Sequence, residues 1–180
     1  MAYTVFESTN MSSTYRGGER IYDVVADTDI ENGTFGYIEE LDEGQEVIYK
    51  FVKGYKAGAI LVVADNQAWN YDTTRITNQR RDKFVNEAGK AFTARAVKVQ
   101  DEFGISADGF TKATQKTVKR DVFATIDETT GKLVATTTKP DSGFYVKVQT
   151  TSLRGGELAT PANNYGYVRT MYICKVKSLG

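Results

Sequence analysis

Asp82-Lys-Phe-Val-Asn-Glu-Ala-Gly-Lys-Ala-Phe-Thr-Ala-Arg-Ala-Val-Lys-Val-Gln-Asp-Glu-Phe-Gly-Ile-Ser106 is the stretch that decides the fold of this chain. Asn86 to Gly89 reads as a turn, Ala91 to Val99 as a strand, and Asp101-Glu102 as a second turn. Phe92, Ala94 and Ala96 fall on one face of that strand, and Thr93, Arg95, Val97 and Val99 on the other. Such a period of two is the mark of a pleated strand with one buried face.

The same signal repeats outward in both directions. Branched and aromatic residues recur in short runs separated by Gly, Asn and Asp, because such side chains pack well on a pleated surface. The runs Arg20–Ala26, Thr34–Glu39, Glu46–Val52 and Ala59–Ala64 precede the quoted stretch, and Phe144–Thr151 and Tyr165–Val176 follow it. Thr117–Asp127 and Lys132–Thr138 flank the turn Glu128-Thr-Thr-Gly131 and predict a hairpin. No segment sustains a helical period, although a short helix fits near Asn78–Asn86. The expected fold is all-β: a single compact β-barrel or β-sandwich domain over residues 20–180, with an extended arm over residues 1–19 and long loops. The arm is rich in Ser, Thr, Asn and Gly, and its expected anchors are Tyr3, Val5 and Phe6, with Met11 and Tyr15 behind them.

Composition narrows the function. The 180 residues suit one domain. Lysine plus arginine equals aspartate plus glutamate at 23 each, so the chain has no global pull toward nucleic acid or anionic membrane. It has no apolar run of membrane-spanning length, and its start lacks the basic and apolar regions of a signal peptide, which predicts synthesis in the cytoplasm. Cys174 is the single cysteine, so no internal disulfide forms. Histidine is absent, which removes the commonest general base and the commonest metal ligand from the chain's own repertoire.

Two motifs invite a chemical reading, and a third the reading of a repeat. Asp27-Thr-Asp-Ile-Glu-Asn-Gly33 has alternating oxygen ligands like a calcium loop, but its Gly is one place late and Ile38 stands where the bidentate Glu belongs. A solvated hairpin turn is the expectation there. The paired acids Glu39-Glu40, Asp42-Glu43 and Asp101-Glu102 sit in turns with nothing to position a second group, so no catalytic residue, metal site or cofactor is expected. Arg16-Gly-Gly-Glu19 recurs as Arg154-Gly-Gly-Glu157, which reads as two flexible polar turns.

The basic cluster Arg75, Arg80, Arg81 and Lys83 is interleaved with Trp69, Tyr71 and Phe84, inside a segment from residue 65 to 90 without regular period. Charge with stacking could serve a nucleic acid. With no net charge on the chain, a protein contact fits better, because Trp, Tyr and Arg are the residue types that carry interface energy. The expected partner-binding residues are therefore Tyr3, Val5, Phe6, Trp69, Tyr71, Arg75, Arg80 and Arg81.

One pattern adds a family. The polar turn Asn86-Glu-Ala-Gly-Lys90, the strand residues Ala94-Arg-Ala96 and the acidic turn before Phe103 resemble the middle of capsid decoration (cement) proteins of tailed bacteriophages. Asn10-Met-Ser12, Ala64-Asp65 and Phe144-Tyr-Val-Lys-Val148 fit the same layout, while the loop from 153 to 164 and the polar arm have no counterpart in it. The resemblance implies a non-enzymatic virion protein on the capsid exterior, a homo-oligomer whose partner is the major capsid protein, with no cofactor, nucleic acid or membrane bound. A tail or head-tail subunit, or a glycan-binding β module stacking sugars on Trp69 and Tyr71, are the rival expectations; an enzyme is the weakest.

Overall fold

The computed structural model describes residues 3–15, 21–67, 81–154 and 169–180. Twelve strands form two six-membered sheets, with one short helix, α1 (Ser12–Tyr15), among the described residues. The first sheet is open and runs β1 (Phe6–Asn10), β8 (Glu102–Ser106), β12 (Arg169–Leu179), β11 (Phe144–Arg154), β9 (Phe123–Ile126), β10 (Leu133–Thr136). The second runs β4 (Ile48–Lys50), β2 (Ile21–Val25), β7 (Phe92–Ala96), β6 (Ile60–Ala64), β3 (Phe35–Ile38), β5 (Val52–Lys53).

The second sheet closes on itself. Its two edge strands, β4 and β5, are consecutive pieces of one segment interrupted only at Phe51, β4 pairing parallel with β2 and β5 antiparallel with β3. Closure removes the unpaired edges that an open sheet presents. The barrel interior is a small core of Val24, Ile38, Phe51, Val62, Ala64, Phe92 and Ala94. Small residues alternate with large ones, as a narrow barrel requires. Gly36 is part of that fit: a Cβ there would lie 2.4 Å from the tip of the Phe51 ring and 2.5 Å from the Val52 carbonyl oxygen.

The larger core lies between the layers. From the barrel's outer surface Phe35, Leu61, Val63 and Val97 meet Phe6, Phe103, Ile105, Phe144, Val146 and Val176 of the open sheet. The Phe35 ring stands between Phe103 and Phe144, with centroids 5.5 and 5.6 Å away. The strand quoted at the outset obeys its predicted alternation, with Phe92, Ala94 and Ala96 all buried.

The domain is all-β as expected, and the hairpin at Glu128–Gly131 is β9 paired antiparallel with β10. Its Asp127 carboxylate accepts both N–H and O–H of Thr130, which hold its pKa below the ordinary carboxylate value. Four expectations need correction. The arm is not an appendage: β1 is the edge strand of the open sheet, in register Phe6↔Ile105, and Phe6 and Met11 are buried in the main core. Val5 is likewise buried, so Val5 and Phe6 face inward rather than toward a partner. Asp101-Glu102 is not wholly a turn: Glu102 opens β8 and pairs with Lys175 at 3.0 Å, while buried Asp101 accepts N–H groups of Ser12 and Lys98, both at 2.8 Å.

The fourth concerns Asp27–Gly33. Neither strand that it joins pairs with the other, because β2 lies beside β7 and β4 and β3 beside β6 and β5. Asn32 is buried, and Glu31 accepts the N–H and hydroxyl of Thr4 at 3.0 and 2.7 Å and the ammonium of Lys132. Glu31 and Asn32 tie the chain together, whereas Asp27, Thr28 and Asp29 are exposed, so the segment is solvated over its first half but is not a hairpin.

Candidate functional site

Strand direction gives the barrel two unlike ends. β6 ends and β7 begins at the same end, and between them runs the segment from residue 65 to 90 that carries most of the interface-type side chains. Trp69, Tyr71, Arg75 and Arg80 lie outside the described residues; Arg81 lies within them, in a 3-10 turn from Arg81 to Lys83.

Both roots of this segment are held by polar side chains that hydrophobic patterning ignores. On the incoming side, Asp65 is buried and accepts from three directions. Arg95 Nε reaches its Oδ2 at 2.5 Å, Ser8 Oγ of β1 reaches the same oxygen at 2.6 Å, and Gln67 Nε2 reaches Oδ1 at 2.9 Å. The Arg95 side chain keeps 13% of its exposure and that of Asp65 1%, so this ion pair sits away from bulk water. Such a pair is sustained by its geometry and surrounding hydrogen bonds, since desolvation offsets much of the Coulomb attraction.

Three asparagines close the base. Asn66 donates its backbone N–H to Asn32 Oδ1 at 3.0 Å and its side-chain amide to Asn86 Oδ1 at 2.9 Å. Asn32 donates back to the Asn66 carbonyl at 2.8 Å, and Asn86 donates to the Ile30 carbonyl at 2.9 Å. Residues 66 and 86 are thereby fixed to each other and to the 30–32 segment, whatever the chain between them does.

On the outgoing side, Arg81 lies 3.8 Å from the Glu7 carboxylate, and Asp82 pairs with Arg169 at 3.2 Å. Tyr3 takes part through its backbone, donating its N–H to the Asp82 carbonyl at 2.9 Å. Arg169 opens β12 and faces Arg154 at the end of β11, so the segment 155–168 is rooted here too. The roots of the two long segments are thus joined by a largely buried ion pair.

No protein-family model, curated protein or solved structure matches this chain. The site therefore rests on its own geometry. It brings together Tyr3 and Arg81 of the expected residues, and it assigns Val5 and Phe6 to the core behind them. Sequence reading missed Asp65, Asp82, Arg95, Arg169 and the three asparagines. One signal was available: Arg95 stands mid-strand among alanines, where a cation needs an anionic partner nearby.

Several described acids outside this end are also held by lysines. Asp27 binds Lys50 at 3.1 Å, Glu39 binds Lys56 at 2.5 Å, and Asp121 binds Lys147 at 2.7 Å. Cys174 is buried, and burial pushes its thiol pKa far up, so it stays protonated near neutrality. Among the described residues no three His, Cys, Asp or Glu side chains gather as a metal site would require.

Proposed function

We propose that this chain is a non-enzymatic virion protein that binds the outer surface of an assembled phage capsid and stabilises it, with its loop-bearing end toward the capsid. The reading rests on the resemblance to capsid decoration proteins, whose motif-like part spans about residues 79–110. One structural observation supports it further: the segment 65–90, rich in Trp, Tyr and Arg, and the segment 155–168, with Tyr165 and Tyr167, are rooted together on a two-layer β body by side chains used for bracing. A protein that cements a lattice needs a rigid spacer and a broad contact end, and it needs no reactive group. Because it binds the assembled lattice and not its free subunits, mass action shifts the equilibrium toward assembly.

The test separates contact from fold. Trp69→Ala and Arg80→Ala are expected to lower occupancy on capsids assembled without this protein, each by about 2 kcal/mol or more of binding energy if they are anchors. The melting temperature of the free protein should stay within a degree or two. Loss of fold without specific loss of binding would return Trp69 to the core. Assembly of the pure protein into tubes or rings would favour a tail or head-tail subunit. A glycan that binds wild type but not Trp69→Ala would favour a carbohydrate-binding module.

A further inference from the structure

The opposite end of the barrel has a different character. There β2 and β6 begin, β7 ends, and the hairpin joining β3 to β4 projects, closed by hydrogen bonds from Asp42 N to the Ile48 carbonyl and from Lys50 N to the Glu40 carbonyl. Seven large apolar side chains are exposed among the described residues, and five of them belong to this end: Ile21, Leu41, Val47, Ile60 and Val99, at 36% to 68% exposure. Beside them opens a cleft of about 380 Å³, lined by apolar and aromatic side chains such as Tyr22, Tyr55, Ile60 and Val97 and also by Lys56 and Lys98. Grouped apolar exposure of this kind marks an interaction surface, whereas single exposed side chains need no explanation.

The rim identifies the occupant. Residues 39–47 contain Glu39, Glu40, Asp42, Glu43 and Glu46 and no cation. Lys56 engages Glu39 and Lys50 engages Asp27, which leaves the Glu40, Glu43 and Glu46 charges facing solvent around the apolar side chains. A second copy presenting the same mouth would bring like charges together, and an anionic membrane would be repelled. We propose that the barrel mouth docks a protein segment whose apolar side chains are flanked by Lys or Arg. The apolar residues supply the affinity and the acidic hairpin the orientation and the selection against acidic sequences. This inference does not depend on the capsid reading, and it concerns the end of the molecule away from the loops.

Methyl NMR on the intact protein tests it with three synthetic peptides of equal length, built from Leu and Lys, Leu and Glu, or Ser and Lys. At roughly physiological ionic strength, where surface charge alone is screened within about 8 Å, only the Leu/Lys peptide should shift the methyl signals of Ile21, Leu41, Val47, Ile60 and Val99. Leu41→Ser/Val47→Ser/Ile60→Ser keeps the charges, and Glu40→Gln/Glu43→Gln/Glu46→Gln keeps the apolar surface; each should weaken that peptide at least about tenfold, or 1.4 kcal/mol. The proposal is overturned if the serine variant binds like wild type, if the shifts map elsewhere, or if no peptide moves these signals. Shifts that appear when the protein alone is concentrated would make the occupant a second copy and overturn it too. Capsid binding can persist or vanish independently of all these outcomes.

Discussion

The two ends of the barrel treat polar and apolar side chains in opposite ways. At the loop-bearing end charges are buried and matched: Asp65 with Arg95, Asp82 with Arg169, and the asparagine cluster between them. Its apolar neighbours Val5, Phe6 and Met11 are covered. At the mouth the apolar side chains are open and the acids on the projecting hairpin outnumber their cations. The contrast shows that polarity alone does not mark function. A buried charge is costly unless it fixes something, and here it fixes where two long segments leave the body. An exposed apolar group costs the folded state little and becomes useful when another molecule covers it.

The contrast can be broken most severely at the N-terminus. Removing residues 1–11 takes Phe6 and Met11 from the main core, strips β8 of its edge partner and deletes Glu7 and Ser8 from the loop-end network. The truncated chain is expected to lose its cooperative transition in urea; a truncated protein that melts like the full chain would mean that β1 is an appendage. Next comes Asp65→Ala, which leaves the Arg95 guanidinium poorly compensated and should cost about 3–5 kcal/mol. Calorimetry should show a fall of roughly 6–20 °C in a domain of this size, and a loss near that of a surface pair, under about 1 kcal/mol, would remove the structural role given to this end. The smallest effect belongs to the mouth. Ile60→Ser and Val47→Ser should each leave stability within about 0.5 kcal/mol, and a substantial loss would show that the chain itself covers these side chains.

Much of the fold was legible because alternation is local. The inward residues of β7 and the β9–β10 hairpin can be read directly from spacing and turn chemistry. What escaped was set by distant partners. Phe6-Glu-Ser-Thr-Asn10 has one apolar residue to bury and becomes a strand only because β8 offers an edge. Asp101-Glu102 looks like a turn until Glu102 is seen to open β8, where Gly104 lies so close to β1 that a Cβ would stand 3.1 Å from the Glu7 carboxylate. Barrel closure through Phe51 leaves no local mark at all. For the site, residue type pointed to the segment 65–90, and the structure adds how it is rooted. The roots were illegible because buried Asp, Arg and Asn resemble surface residues in a sequence.

The strand order also sets a timetable. β2 finds its antiparallel neighbour only when residues 92–96 exist, and β1 only when residues 102–106 do. At about 5–20 residues per second of synthesis, the first strand of the protein waits on the order of 5–20 s for its mate. During that interval Phe6 and Met11 have no core to enter, and the cell must keep a nascent chain with unpaired strands from joining another. The small apolar content of β1, a poor signal for anyone reading the sequence, makes that delay safer.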